Sequence, residues 1–426
     1  MGAAVNETLA ALRAGDLAGA TRLDLSGADL NALPPEVFSL ADTLEVLDIG
    51  RTAIAALPHD FSRLSRLKVL FASGAPFDRL PEAIGDCAAL SQVGFRGCGI
   101  AEVPAEALPP ALRWLTLTDN RITALPAALG ERPLLQKLML AGNGLSALPE
   151  SLSQASNLEL LRIAANRFEA PPAWLARLPA LAWLAWAGNP FDTTTGALAP
   201  PVAWSDLSVG RVLGRGASGD VFEAGWRGGR AALKLFRGAM TSDGLPEREM
   251  AACLAAGPHP NLTGALGRIE GHPDGAEGLL MPLLPEGWRV LAGPPSLESC
   301  SRDVYAADLS LSLDVARRIA RDVAAGAAHL HARGLQHGDL YAHNVLWDGR
   351  DGAAVLSDLG AAAFLPAGEA TRWTPLDVRA FGLLLGEVLD RVDGEVPAEL
   401  RALETACIQP DGAARPSMAE ALTALS

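Results

Sequence analysis

Leucines recur along the first half of the chain at intervals of 22 or 23 residues. In each interval a short apolar alternation predicts a strand whose inward side chains enter a core, as for Leu115 and Leu117. Seven segments start at Leu44, Leu67, Leu90, Leu112, Leu135, Leu158 and Leu181, and a weaker copy starts at Ala20. A proline follows seven of these eight units at a fixed offset: Pro34, Pro58, Pro81, Pro104, Pro126, Pro149 and Pro172. The pattern predicts stacked repeats with one strand each.

An asparagine follows the strand in the last four units, at Asn120, Asn143, Asn166 and Asn189. Stacking would align these side chains in a column, where their amides can satisfy backbone groups of the bends. The segments resemble the leucine-rich repeat family over residues 20–191, which implies an α/β solenoid. Residues 6–19 are predicted to form a helix that covers the first unit, so residues 1–19 form an N-terminal cap.

The outward position of each predicted strand forms a row that we call the concave row. An exposed row with this much apolar surface favours docking of a protein partner or of the second domain, although scattered surface apolar residues are the alternative. The row runs through Val46, Val69, Gln92, Trp114, Lys137, Leu160 and Trp183, with Phe71 and Met139 in the neighbouring column.

Composition narrows the possible partners and compartments. Hydrophobic residues make up 49% of the chain, and the net charge of −14 argues against nucleic acid or an anionic membrane as the main partner. Five cysteines without a CxxC pair argue against a zinc ribbon or a disulfide scaffold. We find neither a long apolar run nor a signal peptide and expect a cytoplasmic protein. The presence of only three lysines is typical of a GC-rich bacterial genome.

The repeat pattern stops after Phe191, and residues 192–204 are predicted to be a linker before a domain at 205–426. This domain opens with a glycine motif made of Gly214, Gly216, Gly219 and Val221. Alone, the motif fits a dinucleotide-binding fold equally well. A dinucleotide-binding fold would enter a helix directly after this loop. Here two predicted strands, 221–226 and 230–236, flank a Gly-Gly turn instead, which argues against that fold.

Further motifs follow the glycine loop in a fixed order. Lys234 lies in AALK, and HGDLYAHN spans residues 337–344. Glu249 lies in an amphipathic stretch between them, with Glu247 on a nearby turn as the alternative partner of the lysine. Asp358 opens DLG, and the segments DVRAFG (377–382) and Arg415-Pro416 come after it. The ordered set resembles the protein kinase superfamily, which implies an α+β two-lobed fold.

The resemblance implies ATP and Mg²⁺ as cofactors and gives each motif a role. The glycine loop with Val221 would cover the nucleotide, and Lys234, paired with Glu249, would hold the α- and β-phosphates. Pro282 and Leu284 would contact adenine through their backbone. Asn344 and Asp358 would bind Mg²⁺, whereas Asp339 would accept the proton of the attacking hydroxyl.

Three departures from the family pattern bear on activity. Gly338 replaces the arginine that normally gathers a phosphorylated loop, and Tyr341 replaces a lysine that is frequent in Ser/Thr kinases. Only 16 residues separate Gly360 from Asp377, and they lack an APE motif. We expect a Ser/Thr kinase that needs no loop phosphorylation and has a reduced peptide platform. The alternatives are a pseudokinase scaffold whose repeats bind a partner and a small-molecule phosphotransferase.

Overall fold

The structure, a computed structural model, describes residues 2–192, 200–216, 218–238, 240, 241 and 243–426, with no side-chain description for residues 2–4. The chain divides into two compact units, Met1–Leu178 and Pro179–Ser426. The last repeat therefore belongs to the second unit. Most of the predicted linker, residues 193–199, lies outside the described residues, and the proposed domain boundaries stay predictions.

The first unit is a stack of short parallel strands. Helix α1 (Gly2–Ala14) comes first, and strands β1 to β7 follow it at Arg22–Asp24, Val46–Asp48, Val69–Phe71, Gln92–Gly94, Trp114–Thr116, Lys137–Met139 and Leu160–Arg162. Adjacent strands pair in parallel, and Val46, Val69 and Gln92 share one register position. The leucines predicted to point inward, including Leu115 and Leu117, are fully buried. These features confirm the leucine-rich-repeat solenoid.

Short 3₁₀ helices form the other side of each repeat. Proline fixes φ near −65°, and its missing N–H is tolerated directly before a helical turn. Six of the repeat prolines stand at or near this boundary, and the helices lie at Pro35–Leu40, Phe61–Arg63, Glu82–Ile84, Ala105–Ala107, Ala127–Glu131, Glu150–Gln154 and Ala173–Arg177.

The predicted asparagine column is confirmed. The Asn120 amide nitrogen donates to the carbonyl oxygens of Phe95 (2.8 Å) and Leu117 (2.9 Å), and its Oδ1 accepts from three backbone N–H groups of residues 98–100. Asn143 and Asn166 repeat these bonds one unit further along. In an earlier unit, Thr52 donates one bond to the Ile49 carbonyl. The column thus ties consecutive units together through otherwise unpaired backbone groups.

Two local predictions in this unit are wrong. Helix α1 was expected at 6–19 but ends at Ala14, because Gly15 adopts φ +81°, the left-handed conformation that closes a helix. The concave row was expected to be exposed, yet Val69, Gln92, Lys137, Leu160 and Trp183 are buried, while Val46, Phe71, Trp114, Met139 are half-buried. Parallel strands lie about 4.8 Å apart, so neighbouring side chains of a row cover each other.

The second unit contains a mixed sheet followed by a mostly helical part, which confirms the predicted two-lobed α+β fold. It begins with strand β8 (Trp183–Ala185) of the last repeat. The sheet has the order β10-β11-β12-β14-β13-β9. Its strands are β9 (Pro201–Ala203), β10 (Leu207–Arg215), β11 (Gly219–Trp226), β12 (Gly229–Phe236), β13 (Gly267–Glu270) and β14 (Gly278–Pro282), and helix α2 spans Pro246–Ala256.

Strand β9 corrects the prediction that 192–204 is linker throughout, because it pairs in parallel with β13. The hairpin β11–β12 was predicted, and residues 227 and 228 form its turn with positive φ at both. Leu233, Ile269 and Leu280 form the sheet's buried core with Val202 of β9. The segment before the glycine loop is therefore part of the sheet.

Four helices and two small sheets build the helical part. The helices are α3 (Leu313–Ala332), α4 (Ala370–Leu389), α5 (Ala398–Cys407) and α6 (Met418–Ala424). The small sheets contain β15 (Arg289–Val290), β16 (Leu335–Gln336), β17 (Val345–Trp347), β18 (Ala354–Leu356) and β19 (Ala363–Phe364), in the orders β15-β17-β18 and β16-β19. Side chains cap two of these helices: Ser312 accepts from the Val315 N–H, and Ser417 with Glu420 forms a capping box.

Two observations bear on compartment and redox chemistry. Across the described residues, none of the helices combines the length and the apolarity that crossing a bilayer would require. The five cysteines are free thiols, and four of them are buried.

Candidate active site

A cavity of about 1010 Å³ opens between the sheet and the helical part of the second unit. It brings together most of the residues that the sequence predicted to bind nucleotide. These are Gly216, Gly219, Val221, Lys234, Glu249, Pro282, Leu284 and Asp358. Gly214, Asp339 and Asn344 do not belong to the described lining of the cavity. Asp339 and Asn344 are instead joined to it through hydrogen bonds.

The glycine loop lies between β10 and β11 and forms one wall of the cavity. A Cβ at Gly219 would lie 2.2 Å from the Leu235 carbonyl oxygen, so only glycine fits where the loop enters β11. The Gly216 N–H donates to the Gly219 carbonyl at 2.9 Å and closes the loop. No atom lies within 4 Å of a Cβ built on Gly214, so its lack of a side chain has no explanation in this structure.

Lys234 and Glu249 form a buried ion pair at the back of the cavity. Lys234 lies in β12 opposite Val221, and Glu249, which is 3% exposed, projects from α2. Glu247 on the same helix is exposed, which resolves which glutamate pairs with the lysine. Burial opposes the charge of Lys234, but the carboxylates of Glu249 and Asp358 outweigh it and raise the lysine pKa. Lys234 therefore stays an ammonium at neutral pH.

Asp358 lies directly after β18 and Ser357, on the side of the cavity opposite the glycine loop. Its φ of +56° is in the left-handed region, which is uncommon for a non-glycine residue and concentrates at functional sites. Its Oδ1 accepts a 3.0 Å hydrogen bond from the Gly360 N–H. This bond fixes the carboxylate near the Lys234 ammonium.

Asp339 and Asn344 are hydrogen-bonded to each other in the loop 337–344. The Asn344 amide nitrogen donates to the Asp339 carbonyl (2.8 Å) and to its Oδ2 (2.9 Å). The Ser357 N–H and hydroxyl both donate to the Asn344 carbonyl at 2.8 Å. Because Ser357 immediately precedes Asp358, these bonds connect the loop to the cavity wall.

Asp377 on α4 holds this loop from behind, a role that the sequence analysis missed. Its carboxylate is 1% exposed and accepts from the N–H groups of His337 (2.7 Å) and Gly338 (3.0 Å), with His331 Nε2 at 2.9 Å. Burial disfavours the charge, but the hydrogen bond with His331 and the other contacts outweigh it and lower the pKa of Asp377. The DVRAFG motif was a signal for this role, although we assigned it only to a helix.

The predicted hinge residues, Pro282 and Leu284, lie at the end of β14 and just beyond it, and both line the cavity. Pro282 lies opposite Ala231 in the sheet register. The carbonyl of Pro282 and the N–H of Leu284 are therefore brought to the cavity by a central strand and the residues directly after it. Contact with adenine stays a prediction.

The residues present fit a magnesium–nucleotide complex. Asp358 and Asn344 offer oxygen ligands, and Mg²⁺ is usually bound by one or two such side chains together with phosphates and water. In line with this, the described residues contain no cluster of three or more His, Cys, Asp or Glu side chains that would hold a metal alone. The cavity also has the size of ligand-binding clefts.

Comparisons with known proteins identify the two parts of the chain. Residues 207–379 match the family model of the protein kinase domain. Over 112 residues of the N-terminal part, the chain is 38% identical to podocan of Mus musculus, a leucine-rich-repeat protein. The match covers 25% of this chain and 17% of podocan, so the chain spans about one sixth of that relative. Bacterial origin is not supported and stays a prediction.

Residues 207–379 thus match the protein kinase domain and follow a leucine-rich-repeat solenoid. The individual roles of the site residues stay predictions, as do the cofactors that are typical of the domain.

Proposed function

We propose that this protein is an ATP- and Mg²⁺-dependent kinase that phosphorylates Ser or Thr hydroxyls. One observation carries the proposal: the Lys234–Glu249 ion pair and Asp358 line one open cavity, and the hydrogen-bonded pair Asp339–Asn344 is tied to its wall through Ser357. These residues lie up to 124 positions apart in the chain, from Lys234 to Asp358. Such convergence of charged groups in a cleft is expected for a catalytic site.

Each group has a defined task in the proposed reaction. The ammonium of Lys234 binds phosphate oxygens, and its ion pair with Glu249 holds it in place. Asp358 and Asn344 would hold Mg²⁺, which neutralises the charge that develops on the phosphates. Asp339 accepts the proton of the acceptor hydroxyl, and the Asn344 amide fixes the orientation of that carboxylate. Catalysis then depends on positioning and electrostatics.

Two structural features bear on the alternatives. An open cavity with a formed Lys234–Glu249 pair argues against a pseudokinase, in which we would expect a filled cleft or a broken pair. Only residues 365–369 separate β19 from α4, so little chain is available to hold a peptide. Because this segment is short, the test below includes small molecules as acceptors. The match to the protein kinase domain favours a protein acceptor.

We also propose that the half-buried part of the concave row binds a protein partner, with Trp114, Met139, Val46 and Phe71 as the available side chains. Trp183 is not among them, because it packs against residues of its own unit, as described below.

A cytoplasmic location is a further part of the proposal. Its support is the set of free, mostly buried thiols.

The test is transfer of labelled phosphate from ATP by the purified full-length chain, with Mg²⁺ and with the chelator EDTA. Lys234→Ala and Asp358→Asn should each lower transfer by roughly 100-fold or more, because they remove a charge that positions the phosphates. Glu249→Gln should lower it as well. Glu247→Gln on the same helix is the matched control and should keep wild-type activity, because Glu247 is exposed.

Mass spectrometry of the product identifies the acceptor. Thr371, which is exposed on the first turn of α4, and Thr374 are the first sites to examine. Thermal stabilisation by ATP without transfer to the protein itself, to peptides or to small alcohols would refute the kinase and establish a pseudokinase. Transfer to small alcohols alone would establish a small-molecule phosphotransferase.

A further inference from the structure

The last repeat contacts the proposed catalytic loop within the second compact unit. We call residues 181–192 the terminal repeat; it contains β8 and lies in the same unit as the kinase domain. Trp183, the last member of the concave row, is 2% exposed, whereas Trp114 in the same row is half-buried. The difference has a specific cause in the loop 337–344.

Trp183 packs directly against the residues that follow Asp339. Its ring is stacked on Tyr341, with centroids 4.1 Å apart and planes 7° from parallel. Its indole Nε1–H donates to the Leu340 carbonyl at 3.1 Å. Arg302 lies over the ring at 5.6 Å. One side chain therefore fixes both the backbone and a side chain next to the proposed base.

The backbone of β8 holds the residues that precede Asp339. The Gln336 amide donates to the Leu184 carbonyl at 3.0 Å. Gly338 adopts φ +71°, and a Cβ there would lie 2.6 Å from the same carbonyl oxygen and 2.7 Å from that of Ala361. No side chain fits at position 338 while β8 lies there. The terminal repeat thus contacts the loop on both sides of Asp339.

The same repeat also reaches the helix that carries Glu249. Asp192, at the end of the repeat and 5% exposed, lies 3.6 Å from Arg248 and accepts from the Gly188 N–H at 2.7 Å. Arg248 Nη1 donates to the Asp192 carbonyl at 3.3 Å. Arg248 immediately precedes Glu249 on α2. The terminal repeat therefore touches both the proposed base loop and the helix of the ion pair.

We propose that Trp183 is a positioning residue for Asp339, and that the terminal repeat orders the catalytic loop permanently. In the family pattern, an arginine at position 338 gathers a phosphorylated loop; here the strand β8 occupies that place. In the family pattern, ordering of this loop depends on phosphorylation. Here a repeat of the same polypeptide chain provides the ordering contact instead. This inference rests on the proposed function, because it assigns Asp339 as the proton acceptor.

The experiment compares Trp183→Ala and Trp183→Phe in the full-length chain with Trp204→Ala as control. Trp204 lies in the same unit, is half-buried, packs edge-on against His272 and does not line the cavity, so this variant carries the same chemical change away from the loop. Two quantities are measured: steady-state kinetics with Mg-ATP, and hydrogen exchange of the backbone amides 338–341. The stoichiometry of ATP binding gives the fraction of folded protein in each sample.

We expect Trp183→Ala to lower kcat by roughly 10- to 100-fold with KM for ATP unchanged, because Trp183 does not line the nucleotide cavity. The hydrogen-exchange rate of the backbone amides 338–341 should rise by about tenfold or more. Trp183→Phe keeps the aromatic stack and should restore most of kcat and protection. Trp204→Ala should match the wild-type protein in both measurements.

Three results would overturn the positioning role. They are unchanged exchange at 338–341 in Trp183→Ala, a higher kcat in that variant, which would identify a restraining contact, and a loss of activity that equals the loss of ATP-binding sites. Wild-type protein that transfers no phosphate would refute the proposed function alone. The exchange measurement then still decides whether Trp183 orders the loop.

Discussion

Replacing Gly338 with alanine tests the close approach of β8 to the catalytic loop through stability alone. Two costs add at this position. The left-handed conformation at φ +71° costs an L-residue about 1–2 kcal/mol. The methyl group would also lie 2.6 and 2.7 Å from two backbone carbonyl oxygens, and such overpacking costs about 1–3 kcal/mol. We therefore expect Gly338→Ala to lower the free energy of unfolding by about 2–5 kcal/mol.

Gly334→Ala is the matched control. Gly334 has φ +72°, and nothing lies within 4 Å of a Cβ built on it. This variant therefore carries the backbone cost without the steric cost, about 1–2 kcal/mol. The difference between the two variants isolates the contact with the Leu184 and Ala361 carbonyls.

Thermal unfolding followed by tryptophan fluorescence measures the difference, because seven of the nine tryptophans lie in the second unit. For a unit of this size, about 1 kcal/mol corresponds to roughly 2 °C in Tm. We expect Tm to fall by roughly 4–10 °C for Gly338→Ala and by roughly 2–4 °C for Gly334→Ala. Equal shifts in the two variants would refute the close approach of β8 and the explanation of Gly338 that follows from it.

Two further predictions concern the asparagine column and a buried carboxyl. Asn120→Ala should destabilise the solenoid by about 2–4 kcal/mol in urea unfolding, because backbone groups lose their partners. The exposed Asn157→Ala, which loses one bond, should cost under about 1 kcal/mol; equal costs would contradict the column's role. Burial raises the pKa of Glu387 to about 7, so the folded state holds a proton that the unfolded state releases near pH 4.5. Stability should thus fall by about 3 kcal/mol as pH rises from about 4.5 to 7, and Glu387→Gln should abolish this fall in Tm; parallel pH profiles would contradict it.

The features that could be predicted from sequence are those that follow from the spacing of nearby residues or from the order of the motifs. The strand positions of the repeats and the bonds of Asn120 follow from a period that repeats every 22 or 23 residues. The Lys234–Glu249 pair followed from the order of the kinase motifs, although spacing alone left Glu247 as a competitor. Sequence carries such information because the repeat period and the order of the motifs fix which residues become partners.

The features that were missed depend on contacts between distant segments. Trp183 was expected to be exposed because strand alternation places it outward, but its partner Tyr341 lies 158 positions away. Strand β9 escaped notice because three residues beside prolines carry no periodic signal, and its pairing with β13 stabilises it. Asp377 was visible as a motif, yet nothing local indicates that its carboxylate accepts from the N–H groups of residues 337 and 338. Tertiary pairing decides all three cases.

The departures from the kinase pattern have one common structural basis. An arginine at position 338 would collide with the Leu184 carbonyl, so glycine is required as long as β8 lies against the loop. Tyr341 provides the flat aromatic surface on which Trp183 stacks, which a lysine would not offer in the same way. The segment before α4 is short where Trp186, which is fully buried, packs edge-on against Trp373 at 4.8 Å. Loss of function would leave such changes unrelated, whereas here each one is complementary to the terminal repeat. The altered residues are therefore better explained by a fixed intramolecular contact than by decay of the catalytic site.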